Sequence, residues 1–158
     1  DPGDHLMLHA AIYRANAGDI IVVEADDKYA VAGGNVCAIA QSRGIKGFVI
    51  DGVIRDIAET RENQFPVFAR GVVPKPGAKK CISPLNQPVR CGGVTVNAGD
   101  IIVADEEGIA VIPREQAQHA FEIAKARGDK DAAMSLSEWQ AQHQDKVEAT
   151  LAKLGFTD

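Results

Sequence analysis

The order of patterned segments predicts an α/β sandwich, and three observations carry that reading. A βαβ-like series opens the chain, the middle from Pro88 to Pro113 alternates short β-type runs with turn residues, and the C-terminal part carries helical periodicity. At 158 residues, with 46% hydrophobic and 25% charged residues, the chain is long enough for one domain with a real core. The formal net charge of -5 argues against nucleic acid as the main partner and leaves an anionic small molecule open if its site is locally positive.

Taken in order, Asp1-Pro2-Gly3-Asp4 is turn chemistry, with Asp4 as an N-cap for a short helix in LMLHAAIYRA, where Leu6, His9, Ala10 and Tyr13 share helical spacing. Ala17-Gly18-Asp19 turns into the apolar run Ile20 to Val23, a buried strand. Glu24, Asp26 and Asp27 follow, read either as solvated loop acids or as ligand-side acids at a strand's C-terminal end.

The stretch from Gly33 to Glu59 is the densest in chemistry. Gly33-Gly34-Asn35 opens a helical run, VCAIAQSRG, with Val36, Ile39 and Ala40 on one face and Gly44 as a left-handed stop. Gly47 to Ile50 suits a central strand buried on both faces and ended by Asp51-Gly52. If a helix starts after Ile54, Asp56 and Glu59 share a face.

Asn63 to Phe65 then reads as a loop, Pro66 to Ala69 as a strand, and Gly71 to Leu85 as an ordered loop whose Lys75, Lys79 and Lys80 either keep it soluble or line an anionic pocket. PVRCGG and VTV are β-type; after the turn Asn97 to Asp100, IIVAD and GIAVIP form a hairpin. The phrases NAGDIIVVEAD at 16–26 and NAGDIIVADEE at 97–107 predict two similar turn-to-strand units. Glu115 to Arg127 reads as an amphipathic helix with Ala117, Phe121 and Ala124 inward. Ser137 is expected to cap a helix from Glu138 to Leu154 that ends at Gly155, with Val147, Leu151 and Leu154 as a stripe for core or subunit contact.

Cys37, Cys81 and Cys91 show no C-x-x-C spacing and are odd in number, which fits reduced thiols in a reducing compartment. No apolar run approaches the roughly 20 residues that span a bilayer, so a cytoplasmic protein without membrane partners is expected. The chain starts at Asp1 without Met and enters patterned sequence almost at once, so an N-terminal segment is expected to be missing from it.

Dinucleotide, P-loop, serine-hydrolase and H-E-x-x-H motifs do not occur. His5 and His9 are spaced i, i+4, but no acidic third ligand accompanies them in a recognisable pattern. The Gly33 to Glu59 stretch offers more. A helix starting at Gly34-Asn35 aims free N–H groups at whatever lies over the preceding turn, which suits a carboxylate. Asp56 is a hard oxygen ligand for Mg²⁺ or Mn²⁺, and Arg55 is a fixed cation for an oxyanion. Together these would form an enolate from a 2-oxo acid. The plainer reading has Asp56 favouring the helix dipole and Arg55 pairing with Glu59.

Twenty residues separate Gly34 from Arg55, Asp56 follows, and Glu59 comes after two more. This resembles the G-x20-R-D-x2-E/D signature of the RraA-like family, which includes class II pyruvate aldolases acting on 4-hydroxy-4-methyl-2-oxoglutarate and 4-carboxy-4-hydroxy-2-oxoadipate. GDHLMLHAA, AGDIIVVEA, GFVIDGVIRD, PVFARGVVP and NAGDIIVADEEGIAVIP extend the resemblance over most of the chain. It implies an α/β fold of the swivelling β/β/α-sandwich type, one RraA-like domain over 1–158, assembled as a trimer or a dimer of trimers with active sites between subunits. It also implies Mg²⁺ or Mn²⁺ held by Asp56, directly or through water, with Glu59 acting through the ordered waters. Arg55 would contact the keto oxygen, and the N–H groups of Asn35, Val36 and Cys37, beside Gly34, would receive the carboxylate. The implied reaction is retro-aldol cleavage to pyruvate and a second 2-oxo acid, with oxaloacetate decarboxylation as a side activity. The alternative is a non-catalytic regulator that binds ribonuclease E, a type that lacks the acidic residue after the Arg. Two departures stand out. Some family aldolases carry Asp at the position of Gly34, and many members read G-D-N where this chain has His5, which either sits on the first helix or enters the pocket.

Overall fold

The computed structural model describes residues 3–157, so the turn expected at Asp1-Pro2 lies partly outside the described residues. The chain divides into two compact units, Asp1–Arg114 and Glu115–Asp158.

The first unit is built on a parallel sheet of order β1-β2-β3, with β1 at Ile20–Glu24, β2 at Gly47–Ile54 and β3 at Val67–Val72. Its helices are α1 (Leu6–Ile12), α2 (Gly34–Ser42) and α3 (Ile57–Glu62). β2 is the central strand, as its unbroken apolar run predicts, and Phe48 and Ile50 are almost wholly buried. Leu8 and Ile12 from α1, Cys37 and Ala40 from α2, and Phe65 complete the core. Phe48 and Phe65 meet edge to face at 4.9 Å.

Several local readings change, among them the N-cap of α1, which is His5 and not Asp4. Asp51-Gly52 does not end β2, which continues to Ile54; instead its pairing with β3 slips between Ile50 and Val53. Gly52 permits this because its backbone lies against residue 25, where a Cβ would come within 2.6 Å of the Ala25 Cβ. An Asp-Gly pair inside a buried strand thus marks an irregularity, not a turn. β3 extends through Gly71 and Val72, past the expected stop at Ala69. α2 turns Gly34, Cys37 and Ala40 inward and leaves Ile39 39% exposed. Its end at Gly44, with φ 80°, is as expected.

The repeated phrase does form the same turn twice. Asn16 N–H donates to Asp19 Oδ2 and Asn97 N–H to Asp100 Oδ2, each at 2.8 Å, and Gly18 and Gly99 take φ 99° and 94°. The first copy leads into β1 and the second into β6 (Ile101–Ala104), which pairs antiparallel with β7 (Ile109–Ile112). Between them β4 (Val89–Cys91) and β5 (Val94–Val96) form a hairpin through Gly92-Gly93, both at positive φ. Glu24 and Asp27 prove structural. Glu24 accepts from Arg90 N–H at 2.8 Å, while Arg70 bridges Asp27 at 2.8 Å and Asp51 at 3.1 Å.

In the second unit a 3-10 turn at Arg114–Gln116 precedes α4 (Ala117–Ala133), and α5 spans Leu136–Leu154. The cap of α5 is Ser135, not Ser137. Its side chain accepts from Glu138 N–H, and Glu138 Oε2 accepts from Ser135 N–H at 2.8 Å; only a Ser three residues before Glu can close this box. Gly155 ends the helix in the left-handed region. Phe121, expected inward, is 61% exposed, and Val147 and Leu154 are exposed as well. Among the described residues no helix is long and apolar enough to cross a membrane.

Candidate functional site

The last residues of β2 run beside residues 30–32. Val31 N–H donates to Val53 O at 3.1 Å, and Arg55 N–H donates to Ala32 O at 3.0 Å. These bonds satisfy backbone groups that burial would otherwise strand, and they lay Gly33-Gly34 directly against Arg55 and Asp56.

Asp56 makes the turn from β2 into α3 in the left-handed region, φ 57° and ψ 43°. That conformation disfavours any residue with a Cβ by roughly 1–2 kcal/mol, less for Asp than for most. It is held from both sides. Gly34 N–H donates to Asp56 Oδ2 at 3.3 Å, and the Asp56 carbonyl accepts from Thr60 N–H and Thr60 Oγ1, each at 3.1 Å. Backbone in a sparsely populated region held in this way is a mark of functional corners. The Arg55 guanidinium stands 3.6 Å from Asp56 Oδ2, the two side chains being 44% and 30% exposed.

Both glycines are required by close approach. A Cβ at Gly33 would strike Asp56 Oδ2 and lie 3.0 Å from Arg55 Cγ; a Cβ at Gly34 would strike the Glu59 carboxylate. Glu59 therefore fills the space where a side chain at position 34 would begin. A carboxylate carried by α3 therefore stands beside position 34.

Of the predicted residues, Gly34, Arg55, Asp56 and Glu59 thus converge on the start of α2. Gly34, Asn35 and Val36 occupy its first turn, where N–H groups lack partners within a helix. Cys37 differs, because its N–H already donates to Gly33 O at 3.0 Å. Its buried thiol lies 3.8 Å from Thr60 Oγ1. Burial pushes that thiol up, and the Asp56 charge adds to the effect against the Thr60 hydrogen bond, so it stays neutral and unreactive. Thr60 escaped the sequence reading; it ties Cys37 on α2 to the Asp56 carbonyl, and no motif marks it. Gly33 was visible only as part of a turn.

His5 sits at the start of α1, its ring 5.0 Å from that of His9. Burial lowers its basicity, the Gly3 carbonyl and the Asp4 charge oppose this, and the Lys79 and Arg55 charges lower it further. His9 is pushed down to about 4 by burial and by the charges of Lys79 and His5. Both rings are neutral at pH 7, and they lie beside one another.

The four residues that carry the resemblance, Gly34, Arg55, Asp56 and Glu59, lie together at this corner. The family model for RraA-like proteins, described as aldolase/RraA, matches residues 1–111. The chain belongs to the RraA-like family. It is 41% identical over 133 residues to a putative 4-hydroxy-4-methyl-2-oxoglutarate aldolase of Halalkalibacterium halodurans, covering 83% of this chain and 63% of that protein. It is 30% identical to the 4-hydroxy-4-methyl-2-oxoglutarate aldolase of Thermus thermophilus, covering 70% of this chain and 68% of that one. Among solved structures, the RNA-processing inhibitor RraA from Thermus thermophilus aligns with TM-score 0.67 and 29% identity over 71% of this chain and 70% of its own. The chain thus spans rather less than two thirds of the Halalkalibacterium relative, and 61% of a Methanocaldococcus jannaschii relative.

The donor set at the corner suits a hard divalent cation. Asp56 and Glu59 offer carboxylate oxygens beside Gly33 and Gly34, the soft donor Cys37 Sγ is buried against Thr60, and among the described residues no group of three or more His, Cys, Asp or Glu is placed to hold a metal ion by itself. Mg²⁺ and Mn²⁺ are satisfied by one or two carboxylates with water completing the shell.

Proposed function

We propose that this corner catalyses retro-aldol cleavage of a 4-hydroxy-2-oxo dicarboxylic or tricarboxylic acid to pyruvate and a second 2-oxo acid. One observation carries the reading: Asp56 and Glu59 bring two carboxylates, and Arg55 a cation, against the glycine start of α2. The N–H groups of Asn35 and Val36 receive the C1 carboxylate at the positive end of the helix. Arg55 donates to the C2 keto oxygen and stabilises the negative charge that collects there as the C3–C4 bond breaks. Glu59, whose carboxylate lies beside Gly34, accepts the C4 hydroxyl proton in this reading, directly or through ordered water. The electron pair of the C3–C4 bond then becomes the enolate of pyruvate, C4 becomes a ketone, and a proton returned to C3 completes pyruvate. Asp56, with Glu59 through water, would hold Mg²⁺ or Mn²⁺, which when bound supplies Lewis-acid polarisation of the substrate's oxygens. Oxaloacetate, whose decarboxylation gives the same enolate, is the expected side substrate. A trimer or hexamer of this chain is the assembly that fits the reading.

The curated relatives described as aldolases support the reaction class. A second reading, binding to ribonuclease E, draws on neighbours described as the RNA-processing inhibitor RraA and as an unusual member of the RNase ES inhibitor RraA family from Streptomyces coelicolor. It gives no role to the Asp56 carboxylate.

Pyruvate release from 4-hydroxy-4-methyl-2-oxoglutarate and from oxaloacetate, with and without EDTA, tests the proposal. The aldolase reading expects metal-dependent turnover that Arg55→Ala and Asp56→Ala each abolish. Absence of turnover, or full activity in either variant, sinks it and leaves the regulator reading.

A further inference from the structure

The Asp56 corner is held by two contacts between α2 and the segment that carries α3, one helical turn apart. Gly34 N–H donates to Asp56 Oδ2 at 3.3 Å. Three residues further along α2, Cys37 Sγ lies 3.8 Å from the Oγ1 of Thr60, which is four residues beyond Asp56. Positions three or four apart share a helix face, so the same two faces meet twice. Cys37 is 1% exposed and Thr60 5%, and Thr60 is the residue that α3 buries.

α3 has six residues, Ile57–Glu62, and a helix that short does not hold its own direction in water. Contacts with the rest of the unit decide how it starts. Asp56, at φ 57°, offers its carbonyl to both donors of Thr60, whose N–H and Oγ1 each lie 3.1 Å away. The N–H bond is the ordinary helical one. The hydroxyl bond depends on the rotamer, because threonine in a helix divides between two rotamers according to whether Oγ1 reaches back to a carbonyl of the preceding turn. A hydroxyl has one proton to donate, and a carbonyl oxygen accepts better than sulfur. The Cys37 contact at 3.8 Å therefore leaves the Asp56 carbonyl as the stronger partner of Oγ1.

We propose that Thr60 is a positioning residue for Asp56: with Cys37 selecting its rotamer, the Thr60 hydroxyl fixes the left-handed turn that aims the Asp56 carboxylate at the start of α2. The inference rests on the reading of Asp56 as the metal ligand. Thr60 touches neither substrate nor cation, and it sets cation affinity through the backbone of the residue that does. Groups that orient a metal ligand from behind commonly change affinity by roughly 10–100-fold.

Mn²⁺ binding followed by electron paramagnetic resonance reads this effect without turnover. The native protein should bind Mn²⁺ and Asp56→Ala should not. Thr60→Val, which keeps the side chain's shape and loses the hydroxyl, should bind about tenfold more weakly, and Thr60→Ser, which restores the hydroxyl, should recover most of the loss. Cys37→Ala should weaken binding in the same direction, and combined with Thr60→Val it should add nothing, because both act through one bond. In metal-free protein the Gly34 amide, bonded to Asp56 Oδ2, should exchange with solvent faster in Thr60→Val than in the native protein or in Thr60→Ser. Ile12→Val, which trims a buried side chain of α1, should change neither reading. Native affinity in Thr60→Val, no recovery in Thr60→Ser, full additivity with Cys37→Ala, or a native protein that binds no Mn²⁺ overturns the proposal. A Mn²⁺ affinity that depends on the Thr60 hydroxyl, in a protein that releases no pyruvate from any 4-hydroxy-2-oxo acid, upholds the positioning role and removes the aldolase reading alone.

Discussion

The two ends of β2 follow different rules. Over Gly47 to Ile50 the sequence alternates nothing, buries everything and pairs in register with β1 from Gly47 opposite Ile20 onward. Beyond Asp51 the register with β3 slips, Asp56 takes a left-handed backbone, and Gly33 and Gly34 at the start of α2 make room for the carboxylates of Asp56 and Glu59. The first end is locally consistent and makes the fold. The second breaks local preference at several adjacent residues, and such conflicts collect where a protein works instead of merely folding. Substitutions at the two ends should therefore separate stability from activity.

The largest effect belongs to the consistent end. Phe48→Ala, which removes a wholly buried ring packed on Phe65, should cost about 3–5 kcal/mol, read as a lowered denaturation midpoint with unchanged slope. At the other end Gly34→Ala, whose Cβ would lie 2.8 Å from the Glu59 Cβ, should cost less, about 1–3 kcal/mol. It displaces the Glu59 carboxylate and should lower kcat/KM by up to roughly hundredfold, the scale of a misplaced reacting group. A large stability loss with intact kinetics would erase the distinction between the two ends.

Asp56 sharpens it further. Both Asp56→Gly and Asp56→Ala lose the carboxylate, but only glycine relieves the left-handed backbone. Asp56→Gly should therefore be about 1 kcal/mol more stable than Asp56→Ala while both are inactive. Equal stabilities would mean that the conformation carries no strain.

How much of this was readable in advance follows the same division. The central strand, the stop at Gly44 and the doubled NAGDIIV turn are set by neighbours in sequence, so periodicity and turn chemistry found them. The inward face of α2 was misplaced by a residue or so, because Cys37 packs on Thr60 across a contact between α2 and α3 that no helical period encodes. Ser137, next to Glu138, has the chemistry of a cap but not the spacing, and Ser135, three residues before Glu138, satisfies the box. At the site, residue identities came from the family signature; the geometry did not. Nothing local says that Asp56 is left-handed or that Glu59 occupies the space above Gly34, since both follow from the pairing of residues 30–32 with the end of β2.

A pH-dependent effect lies at the histidine pair. His9 is held down to about 4 by burial and by the charges of Lys79 and His5, below the 6.5 of an unperturbed imidazole. A base whose folded value is depressed contributes stability that is complete above the unfolded value and is lost as pH falls toward the folded one. Denaturation midpoints should therefore fall between pH 6.5 and about 4, and less steeply in His9→Gln. Identical pH profiles would remove His9 from the account.

The central claim is that the Arg55 and Asp56 corner stabilises the enolate of a 2-oxo acid. Its most direct measurement is exchange of the pyruvate methyl protons for deuterium in D₂O, followed by NMR with Mg²⁺ or Mn²⁺ present. The native protein should accelerate exchange, EDTA should stop it, and Arg55→Ala and Asp56→Ala should each return it to the rate without protein. Native protein that exchanges no faster than buffer, or variants that exchange as fast as native, would contradict the claim.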